Sequence, residues 1–181
     1  MKSNLRHELR LLRSQLSAKT FADVAQQTKR IVPKLINNRP GAVAIYWPLA
    51  GEVNLLALAE NNIELALPRA EVAGLQFFSW SSSTPLTKDS CGISAPTGEN
   101  PLSAKQVALL LVPALGIDQQ GIRLGSGGGW YDRLRAAACW REVPALVVLP
   151  HACIKAELPS DPWDIPFAGW ISELGLHWLQ I

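Results

Sequence analysis

Three unbroken apolar stretches of the chain read as strands: Ala42–Trp47, Val107–Val112 and Ala145–Leu149. A strand with one wet face alternates apolar and polar residues, so a continuous run must be covered on both sides. Such strands belong to parallel sheets sandwiched between helices, and helical patterns fall around these three. Leu5, Leu9, Leu12 and Leu16 share one face of a first helix. Ser17 reads as the cap of a second helix, with Phe21, Val24, Thr28, Ile31, Val32 and Leu35 on one face and a stop at Asn37–Gly41. Further along, the patterning predicts a short helix over Leu55–Glu60, a strand over Ile63–Leu67 ending at Pro68, and another over Gln76–Trp80. Residues 81–103, rich in Ser, Thr, Gly and Pro, read as a surface excursion with little regular structure. A glycine-rich loop over 116–129 leads into a helix at about Trp130–Ala138, and Gly169–Ser172 predicts a last strand. The expected fold is α/β: three layers with a mainly parallel central sheet and the N-terminal helices packed on it. No repeat or linker divides the sequence, so residues 1–181 are expected to form one domain.

Function classes narrow on charge. The 181 residues carry a net charge of only +2, which gives no field for nucleic acid or a membrane surface. The apolar runs are far too short to span a bilayer, and the first residues have no apolar core to serve as a secretory signal. Three cysteines, an odd number with no CxxC pair, argue against a disulfide framework and for a reducing compartment. A cytoplasmic monomer with small-molecule ligands is the expectation.

The chemistry concentrates in Arg123-Leu-Gly-Ser-Gly-Gly-Gly-Trp-Tyr-Asp-Arg133. Gly125, Gly127, Gly128 and Gly129 precede a helix start, and glycines let backbone N–H groups approach an anion closely. The loop is neither a Walker A motif, for want of Gly-Lys-Ser/Thr, nor a dinucleotide fingerprint placed directly after a strand. Without a loop lysine, phosphate charge must be met elsewhere, and Arg123 and Arg133 bracket the loop with bidentate donors. Asp132 either complements the helix dipole or holds Mg²⁺. Lys2, Arg6, Arg10 and Arg13 form one basic stripe on the first helix. Cations in a first helical turn oppose the dipole, so Lys2 and Arg6 are better explained if a ligand anion compensates them. Glu52 and Trp47 fall where the first strand ends, the edge at which open α/β sheets bind ligands. Glu52 there is either a surface residue capping the next helix or accepts N–H bonds from a pterin-like ring lying on Trp47. Asp164, within the Pro-bracketed Asp161–Pro166, is either a turn former or a second metal carboxylate. His7, His151 and His177 have no ligand spacing, and no nucleophile elbow is present.

Taken together, these segments resemble the 5-formyltetrahydrofolate cyclo-ligases through nearly the whole chain. The likeness runs through Lys2-x-x-x-Arg6, Arg13-x-x-Leu-Ser17, Gly51-Glu52, Leu111-Val-Pro113 with Asp118, the block from Arg123 to Arg133, and Trp163-Asp164-Ile-Pro166. The resemblance implies ATP-dependent closure of 5-formyltetrahydrofolate, with or without a polyglutamate tail, to 5,10-methenyltetrahydrofolate. It implies ATP contacts from Lys2, Arg6, Arg123, Leu124, Gly125, Ser126, Gly127, Gly128, Gly129, Trp130 and Tyr131, and Mg²⁺ on Asp132 and Asp164. Folate contacts follow from Trp47, Glu52 and Ser126–Trp130, with Arg123, Glu52 and Tyr131 in the chemical step. Three departures from the pattern stand out: Gly128 or its neighbours where some relatives carry Lys, Trp163 where many have His, and Ala168 where they have Asp. The rival readings are a paralogue acting on another formylated or amide substrate, a sugar-phosphate isomerase or CoA-transferase-like enzyme, and a folate-binding protein without turnover.

Overall fold

The unbroken apolar runs do form the middle of a sheet, in a computed structural model that describes residues 2–179. Helices α1 (Lys2–Gln15) and α2 (Ala18–Ile36) lead into β1 (Ala42–Ala44), a 3₁₀ turn at Leu56–Asn61, then β2 (Leu65–Glu71) and β3 (Gly74–Trp80). A small hairpin, β4 (Leu86–Lys88) and β5 (Ser94–Pro96), precedes the central β6 (Val107–Pro113). Next come β7 (Gly116–Asp118), β8 (Arg123–Leu124), α3 (Trp130–Ala136), α4 (Ala138–Arg141) and β9 (Ala145–Val148). The chain ends through β10 (Ile154–Lys155), β11 (Gly169–Ser172) and β12 (Gly175–Trp178).

Seven strands make the main sheet in the order β12-β11-β9-β6-β1-β2-β3. The inner pairings are parallel, and only the edge strands β12 and β3 run antiparallel to their neighbours. Strand β6 shows why an apolar run was needed. Leu110 and Val112 pack on the side of Leu9 and Leu134, while Leu109 and Leu111 pack on the side of Val24 and Val32. Helices α1 and α2, consecutive in sequence, therefore cover opposite faces. Each large side chain so enclosed contributes about 1.5–3 kcal/mol relative to exposure.

Helix α2 tolerates an interior proline for a visible reason. Pro33 cannot donate to the carbonyl of Lys29, and that carbonyl instead accepts from Nδ2 of Asn61 at 3.0 Å. Ser17 caps the helix as expected, accepting from the Thr20 N–H.

Several expected boundaries move. Strand β1 stops at Ala44 rather than Trp47, although Ile45 and Tyr46 stay buried as the chain turns toward Pro48. Strand β2 runs through Pro68 to Glu71, because Pro68 lies beyond the stretch paired with β1 and needs no donor on that side. The expected helix at 130–138 is two pieces, since Ala137 is extended (φ −71°, ψ 130°). The excursion at 81–103 carries the β4–β5 hairpin, and a further strand, β12, follows β11. None of the described helices is long and apolar enough to cross a membrane.

Gly41 immediately precedes β1 with φ +126°, and a Cβ there would lie 2.7 Å from the carbonyl oxygen of Gln106. Gly41→Ala should therefore cost roughly 2–4 kcal/mol, from the strained φ together with the backbone clash. The measurement is urea or thermal unfolding; a loss below about 0.5 kcal/mol would show that the β1–β6 junction yields.

Candidate active site

A cleft of about 330 Å³ opens at the carboxyl ends of β1 and β6, where the fold class puts ligands. Its walls bring together the residues that the family resemblance implied for ATP, folate and metal, but not Arg133, which the sequence placed beside phosphate. Lys2 and Arg6 come from α1, Trp47 and Glu52 from the turn after β1. The segment Arg123–Asp132 supplies the floor, and Asp164 closes one side from the C-terminal loop.

Buried arginines set this arrangement. Arg13, expected on the exposed basic stripe, is instead buried at 7% exposure. Its guanidinium donates to the carbonyl of Ala114 at 2.9 Å and to that of Gly51, tying α1 to both strand-end turns. Arg135 donates to the carbonyls of Ile165 and Pro166, at 2.9 and 3.1 Å, and so holds the Asp164 loop against α3. Burial pulls its pKa down to about 10, helped by the nearby Arg123 charge, which leaves it a cation at neutral pH. Asp118 is a structural carboxylate: it accepts from the N–H groups of Gln120, Ile122 and Leu158 at 2.8–2.9 Å.

The glycine loop is gripped from above. Arg6 Nε donates to the Gly125 carbonyl at 2.9 Å, and Arg10 donates to the Ser126 carbonyl at 3.3 Å. Those contacts use the loop's acceptors and leave its donors. Among the described residues no protein acceptor takes the N–H groups of Ser126, Gly127, Gly128 or Gly129. Gly127 (φ +117°) and Gly129 (φ +64°) hold conformations that a side chain resists. Unclaimed donors lining a cleft fit an anion. The helix behind them has only seven residues, so its dipole adds less than the sequence suggested.

Charges in the cleft are matched in pairs. Nη2 of Arg123 lies 3.2 Å from each carboxylate oxygen of Asp132, and Nη1 donates to the Pro113 carbonyl at 3.1 Å. Lys2 Nζ donates to Asp161 at 2.6 Å and to Asp164 at 2.8 Å. Lys2 at the helix start is thus compensated by the protein's own carboxylates, where the sequence pointed to a ligand anion. Burial lowers the Lys2 pKa, but the two carboxylates outweigh it and the net direction is up. Two carboxylates in the cleft wall, Asp132 and Asp164, suit Mg²⁺, which binds through one or two carboxylates with waters and phosphates completing its shell. No group of three or more His, Cys, Asp or Glu suited to a metal occurs among the described residues.

Glu52 does not cap the helical turn that follows it. Its Oε2 accepts from the Leu49 N–H at 3.0 Å, closing the preceding turn, and its carboxylate still lines the cleft. Burial raises its pKa, against the Leu49 N–H, Arg13 and Arg123, which lower it. Burial likewise pushes the Tyr131 phenol well up, so it is a neutral donor at physiological pH.

Some lining residues escaped the sequence reading. Tyr46, hidden in an apolar run, is 2% exposed, lines the cleft and has no partner for its hydroxyl among the described residues. Cys91 and Ile93 reach the cleft from the β4–β5 hairpin. The signal there was Asp89-Ser-Cys-Gly92: Asp89 Oδ1 accepts from Cys91 and Ile93 N–H, and Gly92 has φ +73°. Asp161, read only as part of a rigid loop, is a partner of Lys2.

Residues 1–171 match the sequence model of the "5-formyltetrahydrofolate cyclo-ligase family". A 5-formyltetrahydrofolate cyclo-ligase of Haemophilus influenzae is 29% identical over 91% of this chain and 94% of its own. Another, of Mycolicibacterium smegmatis, is 33% identical over 68% of this chain and 69% of its own. Among solved structures, the Aquifex aeolicus 5,10-methenyltetrahydrofolate synthetase superposes with a TM-score of 0.82 at 27% identity, covering 99% of this chain and 93% of that one.

Proposed function

The chain belongs to the 5-formyltetrahydrofolate cyclo-ligase family, and from that we propose that it closes 5-formyltetrahydrofolate to 5,10-methenyltetrahydrofolate with ATP and Mg²⁺. The observation that carries the nucleotide part is the row of unclaimed N–H groups from Ser126 to Gly129, set among Lys2, Arg6 and Arg123 in one cleft.

In this reading the formyl oxygen on N5 attacks the γ-phosphorus and the bond to ADP breaks. N10 then adds to the activated carbon and gives up its proton, and phosphate leaves with the former formyl oxygen. Such a reaction asks a protein for position and charge neutralisation rather than a nucleophile. Arg123 sits where it can neutralise the transferring phosphoryl group, with the loop N–H groups and Tyr131 as neutral donors beside it. Lys2 and Arg6 hold the remaining phosphates. Asp132 and Asp164 would hold Mg²⁺, which supplies further neutralisation when bound. Trp47 and Glu52 orient the pterin, with the unpartnered Tyr46 hydroxyl as an additional donor toward it.

The direct test follows the methenyl chromophore with purified protein, 5-formyltetrahydrofolate, ATP and Mg²⁺. A rise that needs both ATP and metal is expected, and its absence with all components present would sink the assignment.

A pH prediction follows from Glu52. It accepts pterin N–H groups only as a carboxylate, and its pKa is raised. Affinity for the folate should therefore fall, as pH is lowered, at a pH above the ordinary carboxylate range of about 4. Glu52→Gln should bind weakly throughout and lose that acid limb. A limb unchanged in the variant would assign it to another group.

A further inference from the structure

The cleft, at about 330 Å³, is at the lower end of what holds one small molecule, and the proposed reaction brings two. A second groove of about 430 Å³ adjoins it, and Leu75 and Trp130 line both. Arg133 stands on the ridge between them. Its guanidinium lies 4.7 Å from the centroid of the Trp130 ring. One of its nitrogens is 2.9 Å from where a Cβ on Gly129 would be, so it packs against a wall of the first cleft while lining the second.

The charge inventory isolates this residue. Lys2 and Arg123 are ion-paired, Arg13 is buried on two carbonyls, and Arg6 and Arg10 donate to the glycine loop. Arg133 flanks the same loop, and its guanidinium has no acceptor among the described residues. Glu71, on the opposite rim of the groove, is already matched by Arg69 at 2.6 Å. Between them the groove is lined by Leu134, Ala137 and Trp140.

We propose that this groove receives the p-aminobenzoyl-glutamate end of the folate, with Arg133 paired to a tail carboxylate. The inference rests on the cyclo-ligase reading above, and it places the half of the substrate that the first cleft does not enclose. A flat aryl ring suits the side of Trp130, and a planar guanidinium matches a carboxylate in fork geometry. Arg133 is exposed, so the ion pair forms at the rim and further γ-linked glutamates continue into solvent. The sequence reading had placed Arg133 beside phosphate; its packing outside the glycine loop turns it toward the tail instead.

The test compares 5-formyltetrahydrofolate with 5-formyltetrahydropteroate, which has the aryl ring but no glutamate. The wild-type KM for the tail-less compound should be about tenfold higher, the size of one partly exposed charge-assisted pair. In Arg133→Ala the two KM values should converge, and Arg133→Lys should restore part of the difference. An unchanged ratio in Arg133→Ala, or a loss confined to the KM for ATP, would overturn the tail site. Failure of the cyclo-ligase reading looks different: wild-type protein would make no methenyl product from either compound.

Discussion

Arg123→Ala should lower single-turnover formation of the methenyl product by about a thousandfold, the range lost when an arginine facing a transferring phosphoryl group is removed. The side chain is 6% exposed, with Nη2 on both oxygens of Asp132 and Nη1 on the Pro113 carbonyl, two fixed directions from one plane. Its Nε is buried without a partner among the described residues. Gly125 lets it lie this close, since a Cβ there would be 2.6 Å from Nη1. A group held so firmly is pre-organised, and pre-organised charge is what a developing phosphoryl transition state rewards. Arg123→Lys keeps the charge but loses the planar geometry, so an intermediate loss is expected. Removing the guanidinium also leaves Asp132 without its partner. That carboxylate is 31% exposed and keeps water, which limits the stability cost to about 1–2 kcal/mol. Thermal unfolding run beside the rate measurement separates the two effects. Activity within tenfold of wild type, in a folded variant, would take Arg123 out of the chemical step.

The legible parts of this molecule are those where one physical requirement acts alone. Leu109–Val112 had to be buried on both faces, and that decided the sheet and its covering layers. Ser17 announced a helix start because a hydroxyl there satisfies an N–H that the helix cannot. The glycines of 125–129 announced a loop that approaches something closely. What escaped was set by tertiary context. Strand β4 is exposed along its length, so it has no alternation to read, and the turn at Asp89 carries the only local signal for its hairpin. Tyr46 looks like one more apolar residue, yet it lines the cleft and its buried hydroxyl has no partner among the described residues. Arg13 and Arg10 have the same sequence signature, yet Arg13 is buried and Arg10 is exposed. Only the positions of Gly51 and Ala114, distant in sequence, separate them. The ion pairs linking Lys2 to Asp161 and Asp164 span nearly the full chain and leave no trace in local pattern.

Those pairs carry the second large effect. In this structure, the cations proposed for phosphate are held by the carboxylates proposed for metal: Lys2 by Asp164, Arg123 by Asp132. Nucleotide arriving without metal must displace carboxylates from both cations, and those carboxylates would then face phosphate across the cleft. With Mg²⁺ present the carboxylates gain a cation of their own as they release Lys2 and Arg123. Asp161, still 2.6 Å from Lys2, keeps the lysine in place after Asp164 is engaged. Asp132→Asn and Asp164→Asn should therefore shift affinity in opposite directions in the two conditions. With chelator present, each should bind a non-hydrolysable ATP analogue about threefold more tightly, because repulsion from phosphate is relieved in a partly exposed site. With Mg²⁺ each should bind it at least tenfold more weakly, and turnover should fall about a hundredfold as neutralisation of the transferring group is lost. Equilibrium titration with and without metal reads both signs on one sample. A carboxylate that merely braced the loop would weaken binding in both conditions, and that result would remove it from the metal site.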